Sequence, residues 1–582
     1  MTSVQPLNFI TSDGDGFLAK EVQENGDLHK DVSNEAVSHD NKKSGKPAGD
    51  SDDDLTPDDI LLQLGGCGLF QILLAFTIQS MKTVICWGMG GNSFFAYVPK
   101  WRCTDFDDVI NISSTVSPLT FLEINVTDTT NTTAYWNQQC QLPNGTHCSN
   151  FEFESSMHTL VSEFDLVCSQ SWVTATIISV QMVGMMVGSF VVGHLADMFG
   201  RKKPFVLSMA IVCLSTIVCY FSVHWIMFAT ARFFFGIGSA FFLSIYCILQ
   251  GEYTLSKWRS TTISFPSWAL ELSLFSLFVY LLHDWEHVTL IMAFLAAIYL
   301  LTWFFIPESF RWLVARNKIK EARLVVNQMA KWNKKPVVNF ERMVRSVEKS
   351  LSGDEDAKYS VIVLFRKRPL LRLTVPLMLS WLTLGVIGYG VGFGVKEFSG
   401  NFYLNLFLFA IVDIPSKLIS IYLQVRIGRK FTSIIAYIVC LVGGLVVTLV
   451  QYIDTPYRGG LTTGFALLAS AGVDAAWGPM QTITVELYPT VARNTAFGFL
   501  SVLARLGAVI GPQFVYLEEL VPGLLYIMIA LLSFLSILCI VSLPETNHRM
   551  LVDRLVDDLD RERKQEKDHV DTQEQTTNNR IV

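Results

Sequence analysis

Arg505 lies in SVLARLGAVIGPQF (501–514), a stretch otherwise suited to oil. A charge at the centre of a membrane span costs about 2.5 to 3.5 kcal/mol to insert, so such residues are rare and usually have a partner or a task. A guanidinium is permanently charged and forks onto a carboxylate in bidentate geometry, so Arg505 could hold an anionic group at mid-depth. Asp474 sits in ASAGVDAAWGPM (469–480), and Asp413 stands beside Pro415 and Lys417. Lys82, Arg232 and Glu271 interrupt other apolar runs. An acid in a dry setting takes up a cation, a sodium ion or a proton. Trp381, Tyr389 and Trp477 offer aromatic faces that attract a quaternary ammonium group. The plainer alternative is internal salt bridging, for example Asp474 with Arg505, and ordinary packing of the aromatics. One arginine and one aspartate at mid-depth would suit a small zwitterion.

The elements that must hold these residues are membrane spans. The chain has 582 residues, 51% hydrophobic and 17% charged, an integral-membrane composition. Apolar stretches of about 20 residues, the length that crosses a bilayer, occur at 67–90 and begin near 172, 204, 225, 260 and 288. A polar segment, 307–371, follows, and six more spans begin near 372, 401, 431, 460, 493 and 521. The segment 311–372 holds 16 Lys/Arg against 6 Asp/Glu, and positive charge marks the cytoplasmic side. Alternation then places both termini in the cytoplasm and residues 98–171 outside. The sequons Asn111, Asn125, Asn131 and Asn144 all fall in that loop, as do Cys103, Cys140, Cys148 and Cys168. A glycosylated, disulfide-stapled ectodomain is expected, with three pairings open. Residues 1–59 carry 14 acids against 5 bases and few apolar groups, the composition of a disordered tail.

Three signatures recur in one order. Gly200-Arg201-Lys202 returns as Gly428-Arg429-Lys430, Glu252 with Arg259 as Glu486 with Arg493, and Pro307-Glu308-Ser309 as Pro544-Glu545-Thr546. The halves are therefore two copies of a six-helix unit. Asp197, Arg201, Glu252, Arg259, Glu308, Arg311, Arg429, Glu486, Arg493 and Glu545 sit at the expected cytoplasmic ends of spans. Acid and base there could join neighbouring helices in one state and part in another, which makes a gate.

These residues resemble a known family. GHLADMFGRKK (193–203) is similar to the loop signature between the second and third helices of the major facilitator superfamily, with His194 and Met198 as departures. SEFDLVCSQSW (162–172), GGCGLFQ (65–71), PESFRWL (307–313), YLNLFLFAIVDIPSK (403–417) and ELYPTVARN (486–494) resemble solute carrier family 22, the organic cation, anion and zwitterion transporters. Gly66 and Phe310 depart from that pattern. Sugar porters share some signatures, but WLTLGVIGYGVGFG (381–394) lacks their paired glutamines. The resemblance implies that Arg505 occupies a position where cation-preferring members carry aspartate and anion or carnitine-type members carry arginine.

The resulting expectations are definite. The fold is an all-α membrane protein of the major facilitator type, twelve transmembrane helices in two six-helix repeats. Its parts are an acidic cytoplasmic tail (1–59), an N-terminal bundle (60–306), a cytoplasmic linker (307–371), a C-terminal bundle (372–545) and a second tail (546–582). The function is alternating-access transport of small organic ions at the plasma membrane, with zwitterions or cations such as carnitine or betaine-like compounds favoured. Organic anion exchange is the alternative, as is a non-transporting receptor whose acidic tail binds a cytosolic partner. Lys82, Asp413, Asp474, Trp381, Tyr389, Trp477 and Arg505 are the expected substrate contacts. No cofactor is expected beyond coupling to Na+ or H+, and no nucleic acid or enzymatic motif is present.

Overall fold

The computed structural model describes residues 57–105, 136, 138–141, 145–255, 258, 266–336, 362–366, 368–453, 455–488, 490–518 and 520–546. Twelve long helices follow the apolar runs. Spans one to six are Leu69–Gly90, Trp172–Phe199, Lys202–Tyr220, Trp225–Tyr253, Ser267–Leu282 and Trp285–Leu300. Spans seven to twelve are Arg368–Gly394, Phe402–Arg426, Arg429–Gln451, Arg458–Leu487, Thr490–Leu517 and Leu524–Val541. Ten helices among the described residues are long and apolar enough to cross a membrane. Span five is a shorter apolar helix of 16 residues. Span ten has 30 residues, but Gly, Ala, Ser and Thr dilute its hydropathy.

The repeated signatures have one local cause. Gly200 has φ 92° and Gly428 φ 96°. A Cβ on Gly200 would stand 2.2 Å from Glu308 Oε2, and one on Gly428 would stand 2.8 Å from Glu545 Oε2. The glycines thus admit a carboxylate against the turn. Glu308 Oε1 accepts from the backbone N–H of Arg201 at 2.7 Å and of Lys202 at 3.2 Å. Glu545 accepts from Arg429 N–H at 3.1 Å and Lys430 N–H at 3.2 Å. A negative charge so placed meets the unsatisfied N–H groups and positive dipole end of spans three and nine.

The segment between spans one and two has a two-stranded antiparallel ladder, Trp101–Cys103 against Phe151–Phe153, and the disulfides Cys103–Cys148 and Cys140–Cys168. All four cysteines of this segment are paired, in one of the three possible patterns. The four sequons lie outside the described residues. Two features of the polar segments were not visible in composition. A short helix, Pro57–Gln63, buries Ile60 and Leu61. Asn333, in the linker, donates to Leu64 O and Gln71 Oε1 at 2.9 Å each and accepts from Phe70 N–H at 2.9 Å, which fastens the linker to the start of span one.

The halves meet through span two against span eleven and span five against span eight. Ser179 Oγ donates to Val509 O at 2.8 Å, and Gln513 Nε2 donates back to Ser179 Oγ at 2.9 Å. At the disulfide-bearing end, aromatic rings close the junction. Tyr97 and Phe402 have centroids 4.6 Å apart, Phe94 and Phe402 6.5 Å, and Tyr280 and Tyr403 5.4 Å.

Candidate functional site

Span seven carries the glycine-rich stretch because it must touch span eleven. A Cβ on Gly385 would stand 1.9 Å from Ala504 O, and one on Gly507 2.4 Å from Leu382 O. Backbones at that distance need bare glycine. The contact puts Tyr389 within electrostatic reach of Arg505. Arg505 Nη1 makes a long bond, 3.4 Å, to Ser501 O one turn back, and its buried Nε has no partner. Arg505 forms no ion pair among the described residues. An always-charged group with an unpartnered Nε, half-buried inside a span, has the chemistry to bind a carboxylate.

The acids gather elsewhere. Asp413 is buried, and its Oδ2 accepts from Lys417 Nζ at 2.6 Å one turn along the same helix. Its Oδ1 is buried without a partner. Asp474 lies within electrostatic reach of both Asp413 and Lys417. The pairing of Asp474 with Arg505 suggested by sequence therefore does not form; helix rotation sends Asp474 toward span eight and Arg505 toward span seven.

Span one supplies a second base to this region. Lys82 is buried, donates to Gln79 Oε1 at 3.1 Å and to Ser267 Oγ, and lies 5.9 Å from the Tyr246 ring centroid. Glu271 and Lys417 are within its electrostatic reach. Glu271 Oε2 is buried and unpartnered. Lys82, Glu271, Asp413, Lys417 and Asp474 thus gather three carboxyl groups and two amines in one region, apart from Arg505.

A family model described as sugar (and other) transporter matches residues 113–554. Solute carrier family 22 member 4 of Mus musculus is 29% identical over 523 residues, covering 84% of this chain and 92% of its own. Organic cation/carnitine transporter 2 of Rattus norvegicus is 30% identical over 400 residues, 67% of this chain and 70% of that one. Organic anion transporter 3 of Oryctolagus cuniculus is 31% identical over 415 residues, 70% and 75% of the two chains. The chain belongs to solute carrier family 22 of the major facilitator superfamily. The partially occluded inward open conformation of the xylose transporter XylE from E. coli is similar with a TM-score of 0.57 at 15% identity, over 84% of this chain and 100% of that chain. That likeness bears on the fold alone. The protein is a membrane transporter and not an enzyme, as the resemblance implied.

The aromatic candidates of this solute carrier divide. Trp381 is buried, spends its N–H on Thr484 Oγ1 at 3.0 Å, and packs edge-on against Trp477 and Phe497 at 6.0 and 5.4 Å. Its environment is that of a core residue, whereas Tyr389 and Trp477 are only half-buried. Arg232 is held by Gly88 O and Asn92 Oδ1, both at 3.1 Å, and by the rings of Phe95, Phe228 and Phe235. It ties span four to span one.

The charged span ends pair inside each half. Arg201 reaches Glu252 at 3.3 Å and Asp197 at 3.2 Å, Arg311 donates to Glu252 O at 3.1 Å, and Arg429 reaches Glu486 at 3.3 Å. Glu308 and Glu545 are the helix-end acceptors described above. These contacts join helices of one bundle. Arg259 and the Arg493 side chain lie outside the described residues. Sequence reasoning left Glu271, Ser267 and Gln79 out of the site. Glu271 was legible as a charge in an apolar run, but the serine and glutamine gave no signal of their own.

Proposed function

We propose that this solute carrier moves a small zwitterion, a carboxylate joined to a quaternary or protonated amine, across the plasma membrane by alternating access, with both termini in the cytoplasm. The observation that carries the reading is the separation of groups: Arg505 has an unpartnered Nε and no ion pair among the described residues, while the carboxyl groups of Glu271, Asp413 and Asp474 gather with Lys82 and Lys417. The substrate carboxylate engages Arg505, and its cationic group is drawn to the acids, with Tyr389 and Trp477 offering ring faces. Support also comes from the relatives, one of which is named for organic cations and carnitine. Another is named for organic anions, which is the second reading. The two disulfides support an external ectodomain, since such bonds persist in oxidising compartments. Coupling of uptake to Na+ or H+ at the acid cluster belongs to the same proposal. The ion pairs at the cytoplasmic span ends would keep each bundle rigid while the bundles rock. In this reading 60–306 and 372–545 are the moving bodies, joined by 307–371, and the tail 1–59 is available to a cytosolic partner.

Asp474→Asn separates the two readings. Uptake of a zwitterion or a cation should fall about tenfold or more, the cost of about 1.4 kcal/mol of lost charge attraction, while uptake of a monoanion persists. Monoanion uptake that collapses while zwitterion uptake persists would overturn the proposal. Surface labelling must show equal amounts of protein.

A further inference from the structure

We propose that His158 is a proton-binding site whose occupancy clamps the ectodomain to span six and so holds the disulfide-bearing face of this carrier closed. His158 Nδ1 lies 3.2 Å from Asp284 Oδ1, and Nε2 lies 3.0 Å from Glu163 Oε2. Ionised carboxylates only accept hydrogen bonds, and a neutral imidazole has a single N–H. Both contacts are satisfied together only when the ring is an imidazolium. Asp284 is a strong partner. It caps the start of span six by accepting from Glu286 N–H at 2.8 Å, and its second oxygen faces His287 Nδ1 at 2.8 Å. Burial works against its charge, but the bonds from Glu286, His287 and His158 prevail and hold its carboxyl below the usual range.

The clamp sits on the closed junction. His158 N–H donates to His283 O at 2.9 Å, and Trp285 N–H donates to His158 O at 3.1 Å. His283 is a left-handed residue at φ 56°, at the turn between spans five and six. Its ring packs 5.4 Å from Tyr403 of the other half. Thr159, the next residue, donates to Tyr97 O at 2.9 Å, and the Tyr97 ring lies on Phe402 of the other half. The segment bearing the proton thus positions two of the rings that close the face. The charged and titratable groups around the site are Asp284, Glu163, His287 and His283, with Asp165 near Glu163.

The two ring contacts require the protonated imidazole, so closure strengthens as pH falls and weakens as pH rises. Far into acid, protonation of the two carboxylates would reverse the trend.

The test uses full-length purified protein in lipid nanodiscs, where both faces meet one pH and no substrate is needed, so its outcome is independent of the transport reading. Tyr97→Cys with Phe402→Cys is cross-linked by a short bifunctional thiol reagent between about pH 6 and about pH 8, the range in which imidazoles titrate. Relative to the same pair in His158→Gln, which removes the charge and corrects for thiol reactivity, the cross-linked fraction should drop several-fold as pH rises. His158→Arg, a permanent cation, should keep it high at both ends. An equal pH slope in His158→Gln or His158→Arg overturns the proposal and points to Glu518, whose carboxyl is pushed up to about 7 by burial and by Glu397. Should His158→Gln fail to fold, the arginine variant decides.

Discussion

Arg505→Ala should lower zwitterion uptake at least about thirtyfold while leaving uptake of a cation without a carboxylate intact or improved. Removing one partner of a buried charge pair costs about 2 to 5 kcal/mol, and each 1.4 kcal/mol is tenfold. The loss falls on the carboxylate because Arg505 makes no ion pair among the described residues that its removal would orphan; its hydrogen bond is a 3.4 Å contact to a carbonyl of its own helix. Arg505→Lys should recover part of the activity, since an ammonium keeps the charge and loses the fork. Initial rates at several substrate concentrations, normalised to surface protein, provide the check. Equal losses for cation and zwitterion would mean that the residue serves the fold.

Gly200→Ala should strongly destabilise the N-terminal bundle. At φ 92° and ψ 177° Gly200 occupies backbone space that is essentially glycine's alone, a cost of about 1 to 3 kcal/mol for alanine. The new Cβ would also stand 2.2 Å from Glu308 Oε2. Displacing that carboxylate leaves the N–H groups of Arg201 and Lys202 unmet, at about 1 to 3 kcal/mol each. A clear fall in thermal stability of the purified protein is expected, with less protein reaching the surface. Gly428→Ala should do the same in the other half, against Glu545. Wild-type melting in both variants would show that the capping carboxylates matter little.

These two residues also mark what the sequence could and could not say. The twelve spans were legible because a bilayer demands apolar length, and the structure's helix starts lie close to those read from hydropathy. The repeat was legible because a carboxylate, a bare glycine and a helix start must occur together wherever that turn is built. The partners of the buried charges were not legible. Which face of span ten Asp474 occupies depends on helix rotation and packing, so tertiary structure and not local sequence groups it with Asp413 and Lys417. The disulfide pattern was open for a similar reason, since four cysteines in one loop carry no pairing information until the strands Trp101–Cys103 and Phe151–Phe153 align. The junction of His158 with Asp284 joins residues 126 apart, and nothing in either local sequence announces it.

The central claim is that one site holds a carboxylate and a cationic group at once. The most direct measurement is uptake into proteoliposomes of three radiolabelled compounds of matched size, a carnitine-type zwitterion, its cationic ester and a monoanion lacking the amine, with and without sodium. The account predicts that the zwitterion is taken up fastest and is competed poorly by the monoanion. Fast uptake of the monoanion with none of the zwitterion would contradict it.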